Sequence, residues 1–302
     1  MWCRSPLQTA CGGLELDISR FLVSRGASLE HVDVFGQNVA HHVVSGFNWR
    51  LNVPKLQCLF VKFLLSNSFF DFDALDCIHR SPLHHAADCS TVDVTQLLLK
   101  YGADSHARDI NGQTALHRAA TVGNSALVWF LLDCGSDVSS QNDEGDTPLH
   151  FAACMGELAV CTMLLECGAD VSAKDLAGVT PLHGAATFDF SQDLFMVLFE
   201  HGADPHKVGC LSYDNGRTLY LFEGMETPAD IARRDGPSIT ASYVKILHDF
   251  YPEIIVDEEG DVFWNTQEDG VPGYGCSYDS VELIEIIEAR REEAWLNGGR
   301  SH

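Results

Sequence analysis

Positive charge is scarce in this sequence. Nineteen Lys and Arg stand against 43 Asp and Glu in 302 residues, a formal net charge of −24 at pH 7. So acidic a surface opposes phosphate backbones and anionic membranes, which excludes direct nucleic-acid binding and membrane attachment as expected functions. Long apolar runs are also missing. The best one, Leu56 to Leu65, is interrupted by Gln57 and Lys62, far short of a membrane span. The opening M-W-C-R-S-P-L lacks the apolar segment of a secretory leader. The eleven cysteines include no C-x-x-C pair, and Cys154, Cys161 and Cys167 run through a predicted helix pair. They read as small apolar residues with reduced thiols, as in a cytoplasmic or nuclear protein. No G-x-S-x-G, H-E-x-x-H, phosphate loop or kinase signature occurs. G-V-P-G-Y-G at 270–275 lacks a following Lys and a preceding strand. The chain is therefore expected to be no enzyme, with no cofactor and no metal.

What is present is a repeat. N-D-E-G-D-T-P-L-H-F-A-A from Asn142 and D-L-A-G-V-T-P-L-H-G-A-A from Asp175 are near copies, with Pro148 and Pro181 33 residues apart. The same spacing links Pro82, Ala115 and Pro148. A fixed period of this length marks a solenoid of stacked units. Worn copies extend it in both directions: S-P-L-Q-T-A from Ser5, N-V-A-H-H-V-V from Asn38 and T-P-A-D-I-A from Thr227. The second copy is 43 residues from the third, which places ten extra residues near 47–54, between two helices, with Pro54 starting the second. The sixth is 47 from the seventh, which places an insertion near 207–224.

Local chemistry explains the recurring residues. Ser5, Asn38, Ser81, Thr114, Thr147, Thr180 and Thr227 precede the Pro slot, and each can accept a hydrogen bond as an N-cap. Pro at the next position loses only an N–H that would be unpaired anyway. Gly26, Gly102, Gly135, Gly168 and Gly202 are predicted C-caps. Gly36, Gly112, Gly145 and Gly178 mark a turn before each first helix. Triplets such as Leu97-Leu98-Leu99 and Phe130-Leu131-Leu132 supply the inner face of each second helix. Each unit is turn, helix, loop, helix, and only stacking buries its apolar side.

These residues resemble the ankyrin-repeat family, with its D-x-x-G-x-T-P-L-H-x-A-A and L-L-x-x-G-A-D signatures, over about seven repeats from Ser5 to Tyr251; the worn copies look similar to those of fungal members. The resemblance implies an all-α solenoid of antiparallel helix pairs with β-hairpin fingers, occupying residues 1–251. It implies that His41, His84, His117, His150 and His183 tie neighbouring hairpins together. The pairs His41-His42 and His84-His85 look like ligand clusters, but adjacent helical residues point about 100° apart, which disfavours one shared site. The resemblance further implies that fingertips and the ends of first helices contact partners. Transferred residue by residue, these are Cys77, Ile78, Arg80, Asp88 and Cys89, then Ile110, Asn111, Gln113, Thr121 and Val122. The next units contribute Asp143, Glu144, Asp146, Cys154 and Met155, then Leu176, Ala177, Val179, Thr187, Phe188 and Phe190. The strip runs from mildly polar through an acidic step to an apolar end, a complement to basic and hydrophobic partners.

Departures from the family pattern bear on function. Where the family usually has Asn, this chain has Glu30, His106, Ser139, Ser172 and His206, so by analogy asparagine hydroxylation has no substrate there. Asp230 replaces His in the last copy, a carboxylate favourable in a first helical turn. The first copy lacks its own hairpin, so Trp2 and its neighbours, or residues upstream, are expected to cap it. Residues 252–302 form an acidic tail with a helix near 280–296: Val281, Leu283, Ile284 and Ile287 make an apolar stripe that caps the array or docks a partner. The expectation is a monomeric, non-catalytic scaffold or adaptor for proteins, in cytoplasm or nucleus. The alternatives are a regulator of gene expression, an accessory to a metabolic pathway and a ubiquitin-ligase substrate adaptor.

Overall fold

The computed structural model describes residues 4–45, 54–65, 71–89, 92–187 and 191–205. Beyond them it describes residues 228, 243, 245–247 and 249 and two short strands. Among the described residues six helix pairs follow one another: α1 (Pro6–Gly12) with α2 (Leu16–Ser24), α3 (Val39–Ser45) with α4 (Pro54–Leu65), and α5 (Pro82–Asp88) with α6 (Val92–Lys100). They continue as α7 (Ala115–Val122) with α8 (Ser125–Asp133), α9 (Pro148–Cys154) with α10 (Leu158–Glu166), and α11 (Pro181–Thr187) with α12 (Gln192–Glu200). The strands β1 (Ile254–Val256) and β2 (Val262–Trp264) pair in a small sheet. That sheet is an addition to the all-α expectation, within what the sequence presented as an acidic tail. The chain divides into two compact units, Met1–Phe263 and Trp264–His302; the helix expected near 280–296 and the insertion near 207–224 lie outside the described residues.

Stacking follows from side-chain size. First helices touch in series from α1 to α11, and second helices from α4 to α12. The first helices bring together Ala86-Ala87, Ala119-Ala120, Ala152-Ala153 and Ala185-Ala186, all buried. Small side chains let these short helices lie close, while Leu98, Leu131, Leu164 and Leu198 fill the space beside the second helices. The seventh copy reaches the same core through Tyr243, whose ring packs edge-on against Phe195 at 5.3 Å.

Helix ends obey local rules. After α2, α6, α8, α10 and α12 a glycine adopts positive φ, as at Gly102 (+94°), and the next N–H reaches back five residues, Ala103 to the Leu98 carbonyl at 3.0 Å. This is the Schellman arrangement, which satisfies carbonyls the helix cannot. The long second unit distributes its extra residues more widely than the sequence suggested. Relative to the third unit, three of them lengthen α4, twelve residues against the nine of α6. Pro54 does begin α4.

Candidate protein-interaction surface

The second to sixth units each open with a tight turn, whose first residue is Asp33, Asp76, Asp109, Asn142 or Asp175. Its Oδ1 accepts two backbone N–H groups, two and four residues on; Asp109 takes those of Asn111 and Gln113, both at 2.9 Å. An acceptor of this reach closes the finger without a β-ladder of its own. Fingers then join by one backbone bond each. Cys77 donates to Phe35 (2.7 Å), Ile110 to Ile78 (2.9 Å), Asp143 to Asn111 (3.0 Å) and Leu176 to Glu144 (2.8 Å). In the fourth of these fingers a side chain at Gly145 would come within 2.9 Å of the Leu176 nitrogen, so only glycine permits this approach.

Beneath the fingers runs a ladder of imidazoles. Nδ1 of His84, His117 and His150 accepts the N-cap backbone N–H of its own helix at 3.1–3.2 Å. The proton therefore sits on Nε2, which donates to the next finger: His84 to the Gln113 carbonyl (3.0 Å), His117 to Asp146 (3.1 Å), His150 to Val179 (3.1 Å). His41 reaches Arg80 in the same way (2.9 Å). In the first unit Gln8 does both jobs. Its Oε1 accepts from Ser5 N (2.8 Å) and its Nε2 donates to the His31 and Gln37 carbonyls, each 2.9 Å. The worn motif S-P-L-Q-T-A thus keeps the function of the histidine in a different side chain.

The ladder is built from neutral rings. Burial is the largest influence on each: it pushes His41 and His117 from 6.5 to about 4, and lowers His84 and His150, against the raising effect of the carbonyl they bond. The second histidine of each pair turns elsewhere, His42 to Asp33 (3.2 Å) and His85 to Asp76 (3.0 Å). Neighbouring histidines therefore serve different partners. Among the described residues no three His, Cys, Asp or Glu side chains converge as metal ligands. Cys11 and Cys161 are buried thiols, raised by burial to about 11 and about 12; neither is a thiolate at neutral pH.

The expected contact residues separate into two groups. Cys77, Ile78, Ile110, Asn111, Asp143, Glu144 and Leu176 are exposed at fingertips, and Val122 and Met155 are exposed at the ends of first helices. Leu176 is 82% exposed, the largest value among the exposed large apolar residues. Others are engaged within the array. Arg80 lies 3.3 Å from Asp88, Arg118 bonds Asp88 at 2.7 Å, and Arg118 also bonds Gln113 at 3.3 Å. Asp146 is half-buried against Asn142 (3.2 Å), and burial raises its carboxyl above the usual range. Val179 corrects the expected strip: its side chain is buried, 8% exposed, while its N–H donates to Asp175 Oδ1 (2.7 Å) and its carbonyl accepts from Asp175 N (3.0 Å) and His150 (3.1 Å). Thr187 ends α11, and its side chain, like Phe188 and Phe190, lies outside the described residues.

The structure also exposes side chains that the sequence reading passed over. Val32, Val34 and Phe35 stand on the first finger and Leu75 beside the second, all exposed. The signal was in D-V-F-G-Q: transferring the tip positions to the second copy, rather than starting at the third, would have found Val34 and Phe35. The apolar weight of the row lies on these first fingers, and the acidic step Asp143-Glu144 divides it from Leu176.

Comparison with known proteins agrees with this architecture. The family model described as ankyrin repeats matches residues 53–142 and 116–209. A stretch of 50 residues is 52% identical to the E3 ubiquitin-protein ligase HACE1 of Xenopus tropicalis, and equally to that of Xenopus laevis. That stretch is 16% of this chain and only 6% and 5% of those two proteins. Among solved structures, the human ASB11 ankyrin repeat domain superposes with a TM-score of 0.65 at 19% identity, covering 80% of this chain and 98% of that one. The ankyrin repeat domain of Bcl-3 gives 0.59 at 23% identity, covering 82% and 99%. At these identities the likeness is one of fold. With the repeat, the caps, the imidazole ladder and the finger row in place, this chain belongs to the ankyrin-repeat family, a family of protein-interaction domains.

Proposed function

We propose that this chain is a non-catalytic scaffold or adaptor that holds partner proteins along its fingertip row. The carrying observation is that five fingers share one backbone plan while their tips differ: Val34-Phe35, Cys77-Ile78, Ile110-Asn111, Asp143-Glu144 and Leu176-Ala177. Exposed apolar tips beside an acidic step suit partners that present hydrophobic and basic residues. Arg80, Gln113 and Asp146 shape the surface behind the tips, and Met155, Thr187, Phe188 and Phe190 extend it. The net charge of −24 supports protein partners over nucleic acid or membrane, and like charge on each copy supports a monomer. No described helix is long and apolar enough to cross a membrane, and the thiols suit cytoplasm or nucleus.

A second reading, a substrate adaptor for a ubiquitin ligase, rests on the 50-residue similarity to HACE1. That length is about one and a half repeats of the kind any such array contains, so this reading ranks second. Roles beside gene expression or a metabolic enzyme would act through the same surface. Affinity purification with mass spectrometry from native cells tests the proposal, comparing the natural chain with Ile110→Ser/Leu176→Ser. The expected result is a set of proteins lost from the variant at unchanged melting temperature. Full recovery by the variant would overturn the fingertip reading, and reproducible recovery of a ligase would promote the second one.

A further inference from the structure

Four of the five finger turns begin with an aspartate whose Oδ1 closes the turn. The chain answers the other oxygen, Oδ2, with a basic side chain in three of them. His42 Nε2 stands 3.2 Å from Asp33, His85 Nε2 3.0 Å from Asp76, and Arg80 Nε 3.9 Å from Asp109. His42 and His85 hold the ninth place after their turn aspartates, which Arg118 holds in the fourth unit. Arg80 holds the last place of the preceding finger.

The sixth unit breaks this pattern at both places. Asp175 Oδ1 closes its turn as the others do, accepting the N–H groups of Ala177 (2.9 Å) and Val179 (2.7 Å). The ninth place after it is Gly184, which lets α11 lie so close to α9 that a Cβ would meet the Cys154 nitrogen at 3.3 Å. It projects no side chain toward Asp175. The last place of the preceding finger, where the second finger has Arg80, is Asp146. Among the described residues neither Asp146 nor Asp175 is ion-paired with a Lys, Arg or His. Burial raises both carboxyls, and at Asp175 the charge of Asp146 adds to the effect. Half-buried Phe151 takes the place that Arg118 has one unit earlier. Two carboxylates and an aromatic ring thus border a notch over Gly184 to which the described residues bring no cation.

We infer that this notch seats an arginine side chain of a partner protein, which brings to Asp146 and Asp175 the cation that the earlier units carry themselves. The inference deepens the scaffold reading above and rests on it. Arginine suits the notch better than lysine, because its planar fork can donate to two carboxylates while its face lies against a phenyl ring. The third and fourth units already use such contacts, with Arg118 and Arg80 holding Asp88 at 2.7 and 3.3 Å. Asp143 and Glu144 stand on the same finger as Asp146 and draw a basic segment toward it. A second copy of this chain is disfavoured as the partner, since each copy carries −24.

Two variants remove a charge and keep the fold. Asp175→Asn is tolerated by the turn, because Asn142 closes the fifth unit's turn with Oδ1 at 3.0 and 2.7 Å. Asp146→Gln copies Gln113 of the finger before it. Asp146→Arg restores the residue of the second finger and fills the notch from within. The probes are peptides of about ten residues, ordinary strand length, selected from a displayed random library on the full chain. Expected are binders that share an arginine. Exchanging it for citrulline, or using either charge-removing variant, should weaken binding at least about tenfold, and Asp146→Arg should abolish it. All three variants should melt no lower than the natural chain. Binders without arginine, or binders that hold Asp175→Asn as tightly as the natural chain, would overturn the inference, as would a library without binders. A lower melting temperature for Asp175→Asn would overturn it too, by showing that a cation of this chain already fills the notch. Binders that depend on Ile110 and Leu176 alone would remove the notch and leave the scaffold reading standing.

Discussion

The ladder under the fingers and the tips above them answer different demands. His84, His117 and His150 stand in identical positions, make the same two bonds and are buried. The tips share backbone bonds yet run from Val34 to Asp143 to Leu176. In the ladder the side chain is the link between units, so few residues can serve. At the tips the link is a backbone N–H, which any residue except proline provides. The array can therefore change what its tips present without changing how it stands.

Breaking the ladder sharpens that contrast most. His117→Ala strands the Thr114 N–H and removes one of two donors from the Asp146 carbonyl, both served by this ring at 3.1 Å, leaving that carbonyl only the Asn142 N–H at 2.9 Å. Leaving buried polar groups unpaired costs on the order of 1–3 kcal/mol each, so a loss of about 3 kcal/mol is expected in urea unfolding. His117→Gln should recover more than half of it, because Gln8 makes both kinds of bond in the first unit. Equal losses in the two variants would show that ring packing, including the edge-on contact with Phe151 at 5.7 Å, outweighs the hydrogen bonds.

Acid attacks the same ladder without mutation. His41, His42 and His117 fall from 6.5 to about 4 on folding. Between those values the unfolded chain binds the more protons, so stability is full above pH 6.5 and declines as the pH drops toward 4. Each histidine contributes a slope of up to about 1.4 kcal/mol per pH unit. Asp146 and Asp175, raised chiefly by burial, act in the opposite sense and soften the decline at its acidic end. Chemical denaturation from pH 7.5 to 4.5 checks this, and a flat profile would contradict neutral buried rings. In His117→Ala the slope should be smaller.

Much of this architecture was legible because stacking repeats its demands. Thr-Pro-Leu-His, the glycine C-caps and the 33-residue period each announce a physical need several times over. The same regularity hid what differs. Gln8 looked like wear, and only the structure shows one amide reaching two carbonyls. Arg80 and Gln113 read as contact residues because position along the finger says nothing about Asp88 and Arg118, which meet them from the helix that follows each finger. Val179 read as a tip residue because burial depends on the neighbouring unit. The extra residues of the second unit could not be apportioned from spacing alone, since a longer helix and a longer loop add the same count.

The smallest expected effect lies at the second finger, where the shared plan is strained. Gly36, Gly112, Gly145 and Gly178 hold positive φ at the turn, but His79 holds the same place at +58°. A side chain in this region places Cβ against the carbonyl, a cost of roughly 1–2 kcal/mol that glycine avoids. His79 is exposed, and its N–H still closes the turn to the Asp76 carbonyl at 2.9 Å, so the backbone plan is kept against the strain. His79→Gly should raise stability by about 0.5–1 kcal/mol, less than the full strain because glycine also frees the unfolded chain. Thermal unfolding would register it as a small upward shift. If stability fell instead, the imidazole would have to hold its finger by contacts worth more than the strain, and the independence of tip side chain from finger backbone would fail at Cys77-Ile78, beside the apolar first finger.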